Sequence, residues 1–281
     1  MSNEKFSVLM SVYFKEKPNY FKECLESILN QTIVPSEIVL VKDGKLTKEL
    51  ECVIGEYVSK YDNLFKIIEL EENKGLGIAL QIGLLNCKYD IIARMDTDDI
   101  CLPDRFEKQL KILKERKDVS VVGSWIGEFE DHYKNINTLR KTPLTFDEIY
   151  SLAKKKNPLN HVTVMFRKKD IEQVGNYQPC LWNEDYYLWV RLLNEGYKII
   201  NIPEVLVYVR ADDSMFERRG GWKYVKAEYN FQKKMLELGF INRITFLKNV
   251  CIRSIIRLIP NKLRKQIYKN FLREKVSNVE E

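Results

Sequence analysis

The sequence predicts an α/β fold: a Rossmann-like, mostly parallel sheet flanked by helices, followed by a C-terminal helical tail. Three observations carry this. Short, wholly apolar runs alternate with helix-period patterns through the first hundred residues, as in parallel strands buried on both faces. Three βα units follow one another, which right-handed crossovers would stack around one sheet. The fourth apolar run, with Ile91, Ile92, Ala93 and Met95, ends in Asp96-Thr97-Asp98-Asp99, and a doubly wound sheet binds its ligand at the carboxyl ends of its strands.

Residues 6–13 read as the first strand. They resemble a signal-peptide core, but no small-residue cleavage site follows and Lys15, Glu16 and Lys17 interrupt the run. Pro18 opens a helix with Phe21, Leu25, Ile28 and Leu29 on one face. Residues 38–41 form strand two, ending in Asp43-Gly44 before a helix carrying Leu50, Val53, Ile54 and Tyr57. Strand three covers 65–70, and after Asn73-Lys74-Gly75 comes a helix through Leu76, Ala79, Leu80 and Leu84. Beyond the acidic cluster, Pro103 introduces a helix with Phe106, Leu110 and Leu113, and 119–126 reads as a strand. Residues 131–160 loosen into polar, turn-prone sequence, where loops are expected. Strands return at 162–166, 199–202 and 205–209, with an aromatic-rich helix after Asn183 between them. Everything after Gly220 reads as helical, with Pro260 dividing two helices.

Composition excludes several classes. With 45% hydrophobic and 31% charged residues, the chain is neither disordered nor fibrous. Six cysteines lie far apart without a Cys-x-x-Cys pair, and two histidines cannot complete a zinc site with them, so reduced thiols in a cytoplasmic protein are expected. Residues 241–281 hold ten Lys or Arg against three Glu, which leaves the rest of the chain about neutral. The basicity belongs to the tail.

Candidate sites follow from strand ends and helix starts. Spaced carboxylates Asp96 and Asp98 offer hard oxygen ligands suited to magnesium or manganese carrying a diphosphate; the competing reading is a solvated acidic turn. Asp43 suits either a nucleoside contact or an Asp-Gly turn, and Asn73 to Gly77 suits a helix entry better than a phosphate loop. Glu184 and Asp185 complement a helix dipole behind Asn183, and either carboxylate is also a candidate general base. Asn183 should cap that helix and keep Asp185 ionised. His161, at the expected start of a strand, reads first as a hydrogen-bonded structural residue.

In this order, the stretches 7–13, 25–32, 37–44, 73–84, 93–106, 161–167 and 184–191 resemble family 2 glycosyltransferases of the GT-A fold, in particular bacterial enzymes of capsule, O-antigen and exopolysaccharide synthesis. The resemblance implies an inverting transfer from a nucleotide-diphospho sugar, usually a UDP-sugar, with Mn2+ or Mg2+. It also implies roles. Ser11, Tyr13 and Asp43 would line the nucleoside pocket; Asp96 would meet the ribose or a metal-bound water; Asp98 would hold the ion. Asp185, with Glu184 beside it, would be the base, His161 would lie near the donor sugar or phosphates, and Arg105 would help with charge. Residues 1–99 would be the nucleotide-sugar half and 100–220 the acceptor and catalytic half of one domain. Lys42 departs from the family pattern, where many members have Asp, as do Leu80 and Gln81, where many have Arg and Asn.

The tail, 221–281, places Lys262, Lys265, Lys269 and Arg273 on one side of its last helix and Leu263, Ile267 and Phe271 on another. Such a helix suits the anionic inner leaflet of the cytoplasmic membrane, where a lipid-linked glycan acceptor would be found, or packs on the catalytic domain. The expected location is cytoplasmic and peripheral on that membrane. No nucleic-acid motif accompanies the charge, so nucleic acid is not an expected partner. Two other functions fit less well. A sugar-phosphate nucleotidyltransferase needs a basic, glycine-rich first loop, which Met10 to Phe14 lacks, and a non-catalytic subunit would be expected to lose the acidic cluster or Asp185.

Overall fold

A computed structural model describes residues 4–130, 132–211, 221–259 and 274–275. The βα rhythm is present: β1 (Phe6–Val12), α1 (Pro18–Leu29), β2 (Glu37–Lys42), α2 (Lys48–Lys60), β3 (Phe65–Glu69), α3 (Leu76–Asn86) and β4 (Ile91–Arg94). β1 pairs in parallel with β2 on one side and β4 on the other, and β2 with β3. The chain therefore reverses its direction of travel across the sheet between β3 and β4, and this switch point opens a crevice above the ends of β1 and β4. β1, β2 and β4 are buried almost throughout because helices cover both faces. α3 lies directly on the sheet: a Cβ at Gly83 would come within 2.5 Å of Leu9 and 2.8 Å of Val41.

The second half adds β5 (Ile100–Cys101), α4 (Arg105–Glu115), β6 (Val119–Phe129), β7 (Thr138–Arg140), α5 (Phe146–Ala153), a 3-10 turn (His161–Thr163), β8 (Met165–Arg167), α6 (Lys168–Gln173), α7 (Glu184–Asn194) and β9 (Lys198–Arg210). β8 runs antiparallel between β4 and β6 and joins the two halves into one sheet. The two runs expected at 199–202 and 205–209 are one strand, β9, parallel to β6, with register shifts at Ser124 to Ile126 absorbing the irregularity between them.

The stretch 131–160 is more ordered than its polarity suggests. It contains β7 and α5, and α5 begins with a capping box in which Thr145 accepts from the Glu148 N–H and Glu148 accepts from the Thr145 N–H. Ile149 and Ala153 then anchor it in the core.

The tail is helical up to Leu258, but its two helices, α8 (Trp222–Glu237) and α9 (Arg243–Leu258), both precede Pro260 and part at 238–242, and Glu274–Lys275, expected to be helical, is a strand, β10, paired antiparallel with β7. The basic stripe Lys262, Lys265, Lys269 and Arg273, like Pro260, lies outside the described residues. α8 buries Phe231 and Met235 against Tyr186 and Tyr187 of α7. The carbonyls left over at the end of α5 take side-chain donors from three places: Tyr186 on Ala153 O at 2.8 Å, Asn249 on Lys154 O at 2.8 Å, and Arg253 on Lys155 O at 2.5 Å. α9 is thus fastened to the α/β domain along one face.

Candidate active site

Ser11 and Tyr13 stand at the end of β1, Asp43 follows β2, and Asp96 to Asp99 follow β4, so the sequence-predicted donor residues share the crevice end of neighbouring strands. Asp43 is nearly buried. Its two carboxylate oxygens accept the N–H groups of Lys74 at 2.7 Å and Gly75 at 3.0 Å, which moors the loop opening α3. Asn73 to Gly75 is accordingly a helix entry. Lys42 points elsewhere, pairing with Glu51 and Glu69 at 2.7 Å each.

The acidic loop is organised by a residue that the sequence reading passed over. Arg94, 2% exposed in its side chain, donates Nη1 to Asp96 Oδ2 at 2.6 Å and Nη2 to Oδ1. Burial opposes its charge, and Asp96 more than offsets this, so its pKa is raised. The signal was available: one Arg in an otherwise apolar strand, two positions before an Asp and so on the same face. Asp98 has its pKa pushed up to about 7 by burial and by Asp96 and Glu16. Asp99, raised well above the usual carboxylate range by burial and by Asp98 and Asp96, accepts the Arg210 N–H at 2.9 Å. Glu16 is raised by burial too, and accepts from Thr97 Oγ1 at 2.5 Å.

Arg105 requires a correction. Following the acidic loop in sequence does not bring it to the crevice: it is fully buried, donating to the Arg94 carbonyl at 2.7 Å and to Gln109 at 3.0 Å. Burial lowers its pKa, and its charge serves the core beneath the loop.

Asp96, His161 and Asp185 come together in one cavity of about 850 Å³, closed on its far side by α9. Asp185 accepts from Asn157 Nδ2 at 2.7 Å, a partner with no local sequence signal. Burial raises its pKa against that hydrogen bond and the Tyr186 N–H. This reverses the expected depression, and Asn183, which starts α7, makes no side-chain cap. Asp185 is therefore a stronger base than a surface carboxylate. Glu184 does not line the cavity; it packs toward Gly77 of α3, and burial and Asp185 push its pKa up to about 7. His161 sits in the 3-10 turn before β8, not in a strand, with Nε2 2.9 Å from Tyr177 Oη. Burial and Arg94 pull its pKa well below the usual range, so it is neutral at pH 7. Trp182 holds φ at 62°, strained for a bulky side chain, with its ring stacked on Tyr224 at 4.1 Å in the cavity wall.

Glu184 carries a stability prediction. Its folded pKa of about 7 exceeds its ordinary 4.5, so its stabilising contribution is complete below about 4.5 and lost as pH rises through about 7. Glu184→Gln, which cannot ionise, should stabilise the protein by about 1 to 3 kcal/mol at pH 8.5 and by little at pH 4.5. Chemical denaturation at the two pH values measures this; an equal difference at both rules the burial argument out.

Among the described residues, no three His, Cys, Asp or Glu side chains converge as a metal cage. A hard divalent ion held by one or two carboxylates, phosphate oxygens and water needs none. The donor set fits such an ion, because Asp98 sits where neighbouring carboxylates and burial leave negative charge undercompensated.

The family model of glycosyl transferase family 2 matches residues 7–175. This chain belongs to that family. It is 41% identical to the amylovoran biosynthesis glycosyltransferase AmsE of Erwinia amylovora, over 94% of this chain and 97% of that one. It is 38% identical to the UDP-Gal:alpha-D-GlcNAc-diphosphoundecaprenol beta-1,3-galactosyltransferase of Escherichia coli, over 96% and 97%. Among solved structures, S. aureus TarS 1-349 in complex with UDP-GlcNAc matches with a TM-score of 0.67 at 16% identity, covering 94% of this chain and 75% of TarS 1-349. The mannosyltransferase PcManGT of Pyrobaculum calidifontis, in complex with GDP-Man and Mn2+, matches at 0.64 and 16%, covering 89% and 69%. The family-2 glycosyltransferase has the GT-A fold.

Proposed function

We propose that this glycosyltransferase moves a sugar, with inversion, from a UDP-sugar to a hydroxyl of a lipid-diphosphate-linked glycan during assembly of a bacterial surface polysaccharide. The observation that carries the reading is the single cavity that holds Asp96, from the 1–99 half, and Asp185, from the 100–220 half. The activity for which the Escherichia coli relative is named supports the choice of donor and acceptor class.

Asp185 takes the proton of the acceptor hydroxyl as that oxygen bonds to the anomeric carbon. The anomeric bond to the phosphate oxygen breaks on the opposite face, and its electron pair leaves with the diphosphate. A single displacement inverts the centre. Ser11, Tyr13 and the loop moored by Asp43 receive the nucleoside, and neutral His161 offers a hydrogen bond to the donor without adding charge. Asp98 and Asp96 would hold Mn2+ or Mg2+, which bound there supplies positive charge for the leaving group.

Nucleotide sugars screened with Mn2+ for protection against thermal unfolding, then assayed for transfer to a GlcNAc-diphospholipid, test the reading. A UDP-sugar should protect and be consumed. Failure of every nucleotide sugar to protect, with or without metal, sinks it.

A peripheral position on the cytoplasmic face of the inner membrane belongs to the same proposal. No described helix is long and apolar enough to cross a membrane. α9 instead presents Ile244, Leu247, Cys251, Ile255 and Leu258 outward on one stripe, exposed despite their apolarity, with Arg243 and Lys248 at its borders. A helix with this arrangement lies in a bilayer surface. Among the described residues the inward face packs and the outward stripe is exposed, which leaves that stripe available for membrane contact. Changing Ile244, Leu247 and Ile255 to Ser should weaken co-sedimentation with anionic vesicles by about tenfold or more, since each removes several buried methylene equivalents. The melting temperature should hold, because these side chains are 61% to 77% exposed. Undiminished sedimentation contradicts the assignment.

A further inference from the structure

His161 is neutral at pH 7, so its two ring nitrogens share a single proton. Which nitrogen holds it decides whether the ring offers the cavity an N–H donor or a lone pair. Nε2 faces the protein, 2.9 Å from Tyr177 Oη. Nδ1 makes no hydrogen bond among the described residues and is not one of the buried unpartnered atoms, so it opens on the cavity that His161 lines.

Tyr177 settles the choice. It is fully buried behind His161, and its hydroxyl has no other hydrogen-bond partner among the described residues. Burial raises its pKa, so the hydroxyl keeps its proton. With the imidazole proton on Nε2, that hydroxyl could only accept, and its own hydrogen would be buried without an acceptor, which costs its full desolvation. With the hydroxyl donating to Nε2, both groups are satisfied and the imidazole proton is left on Nδ1.

Both partners are held in place by their backbones. The 3-10 turn that carries His161 is pinned to β6: Thr163 Oγ1 accepts from the Ser124 N–H at 2.9 Å, and Asn160 Nδ2 donates to the Ser124 carbonyl at 2.8 Å. The turn that carries Tyr177 is clamped by Arg191 of α7, which donates to the Val174 carbonyl and, at 2.6 Å, to the Asn176 carbonyl. Asn176 in turn donates to the Gln81 carbonyl of α3 at 3.1 Å. Trp189, also on α7, sets its ring edge to face with His161, centroids 6.0 Å apart. α7 therefore carries Asp185 at its start and, one to two turns later, side chains that fix His161 and Tyr177.

We propose that Tyr177 is a positioning residue: its hydroxyl donates to His161 Nε2, holds the imidazole proton on Nδ1, and so presents an N–H donor to a diphosphate oxygen of the nucleotide sugar. The inference rests on the nucleotide-sugar reading proposed above. An oxygen of the leaving diphosphate gains negative charge as the anomeric bond breaks, so a neutral N–H aimed at it in advance is worth more in the transition state than in the bound donor. The other tautomer would set a lone pair against the same oxygen.

The chain has two histidines, His132 and His161, so NMR of the full-length protein with isotopically labelled histidine nitrogens shows two rings, and His161→Asn identifies one of them. At pH 7 His161 should show a protonated Nδ1 and an unprotonated Nε2, and UDP with Mg2+ should shift the Nδ1 resonance. Tyr177→Phe keeps the buried ring. It should move the proton toward Nε2 and lower kcat by about tenfold, the size of one hydrogen bond, while the Kd for UDP stays within about threefold. In the His161→Asn background, where the shorter amide takes the place of Nδ1 and does not reach Tyr177, the same change should cost about twofold or less. A proton on Nε2 in the wild type, UDP that binds without shifting Nδ1, wild-type tautomer or turnover in Tyr177→Phe, or an equal loss in the His161→Asn background each overturns the assignment. The first two need no variant, so they decide the matter even if melting curves show that Tyr177→Phe does not fold. If Tyr177→Phe moves the proton as stated and no nucleotide sugar binds, the Tyr177 assignment stands and the donor reading falls.

Discussion

Asp185→Asn should leave UDP binding close to wild type and lower turnover by about a hundredfold or more, the range expected when a general base is lost. The amide is nearly isosteric and keeps a hydrogen-bonding oxygen for Asn157, so the packing around α7 should survive. What it lacks is the ability to accept the proton. The effect must therefore appear in kcat and not in donor affinity. The pH profile gives a second, independent readout. Burial raises the pKa of Asp185, and the base works only when ionised, so the acid limb of kcat should lie above the ordinary carboxylate range and vanish in the variant. If Asp185→Asn turns over normally and Glu184→Gln does not, the proton goes to Glu184, against its position packed toward Gly77.

Much of residues 1–99 was legible from sequence because its signals are local. β1, β2 and β4 are short, largely apolar runs, and each is followed at its crevice end by a candidate polar residue: Tyr13, Asp43, Asp96. The rest of the chain was less legible because its organisation comes from long-range contacts. Asn157 meets Asp185 across 28 residues, and Arg253 meets Glu228 across 25. No periodicity announces such pairs. The direction of the Asp185 shift was misread for the same reason: the helix start is visible in sequence and favours an ionised carboxylate, whereas the burial that outweighs it is a property of the folded core. Arg105 shows the converse. Its nearness in sequence to a charged loop suggested a role in the crevice, yet the chain turns it inward to satisfy the Arg94 carbonyl. α5 was overlooked although its capping box, Thr145 to Glu148, was written in the sequence, because the polar residues around it concealed an eight-residue helix with only Ile149 and Ala153 buried.

Asp98→Asn should fold and lose the metal-dependent part of UDP binding, so that Mn2+ no longer improves affinity for the nucleotide. Asp98 is the better residue to test than Asp96, although both are assigned to the ion. Asp96 neutralises Arg94, which is 2% exposed, and removing it leaves a buried guanidinium without its counter-charge. Breaking such a pair typically costs about 3 to 5 kcal/mol, so a loss of binding in Asp96→Asn would be confounded with a damaged core. Among the described residues Asp98 has no such side-chain partner to strand. It stands among carboxylates that oppose its ionisation, and an amide there relieves repulsion instead of creating it. The melting temperature of the metal-free variant should therefore match or exceed that of the wild type, while calorimetry on UDP with and without Mn2+ shows the two titrations becoming alike. A divalent ion needs several oxygens, and losing one charged ligand of at most two supplied by the protein should weaken its hold by orders of magnitude. If Mn2+ still tightens UDP binding in Asp98→Asn as it does in the wild type, the ion is held elsewhere and the assignment of Asp98 fails.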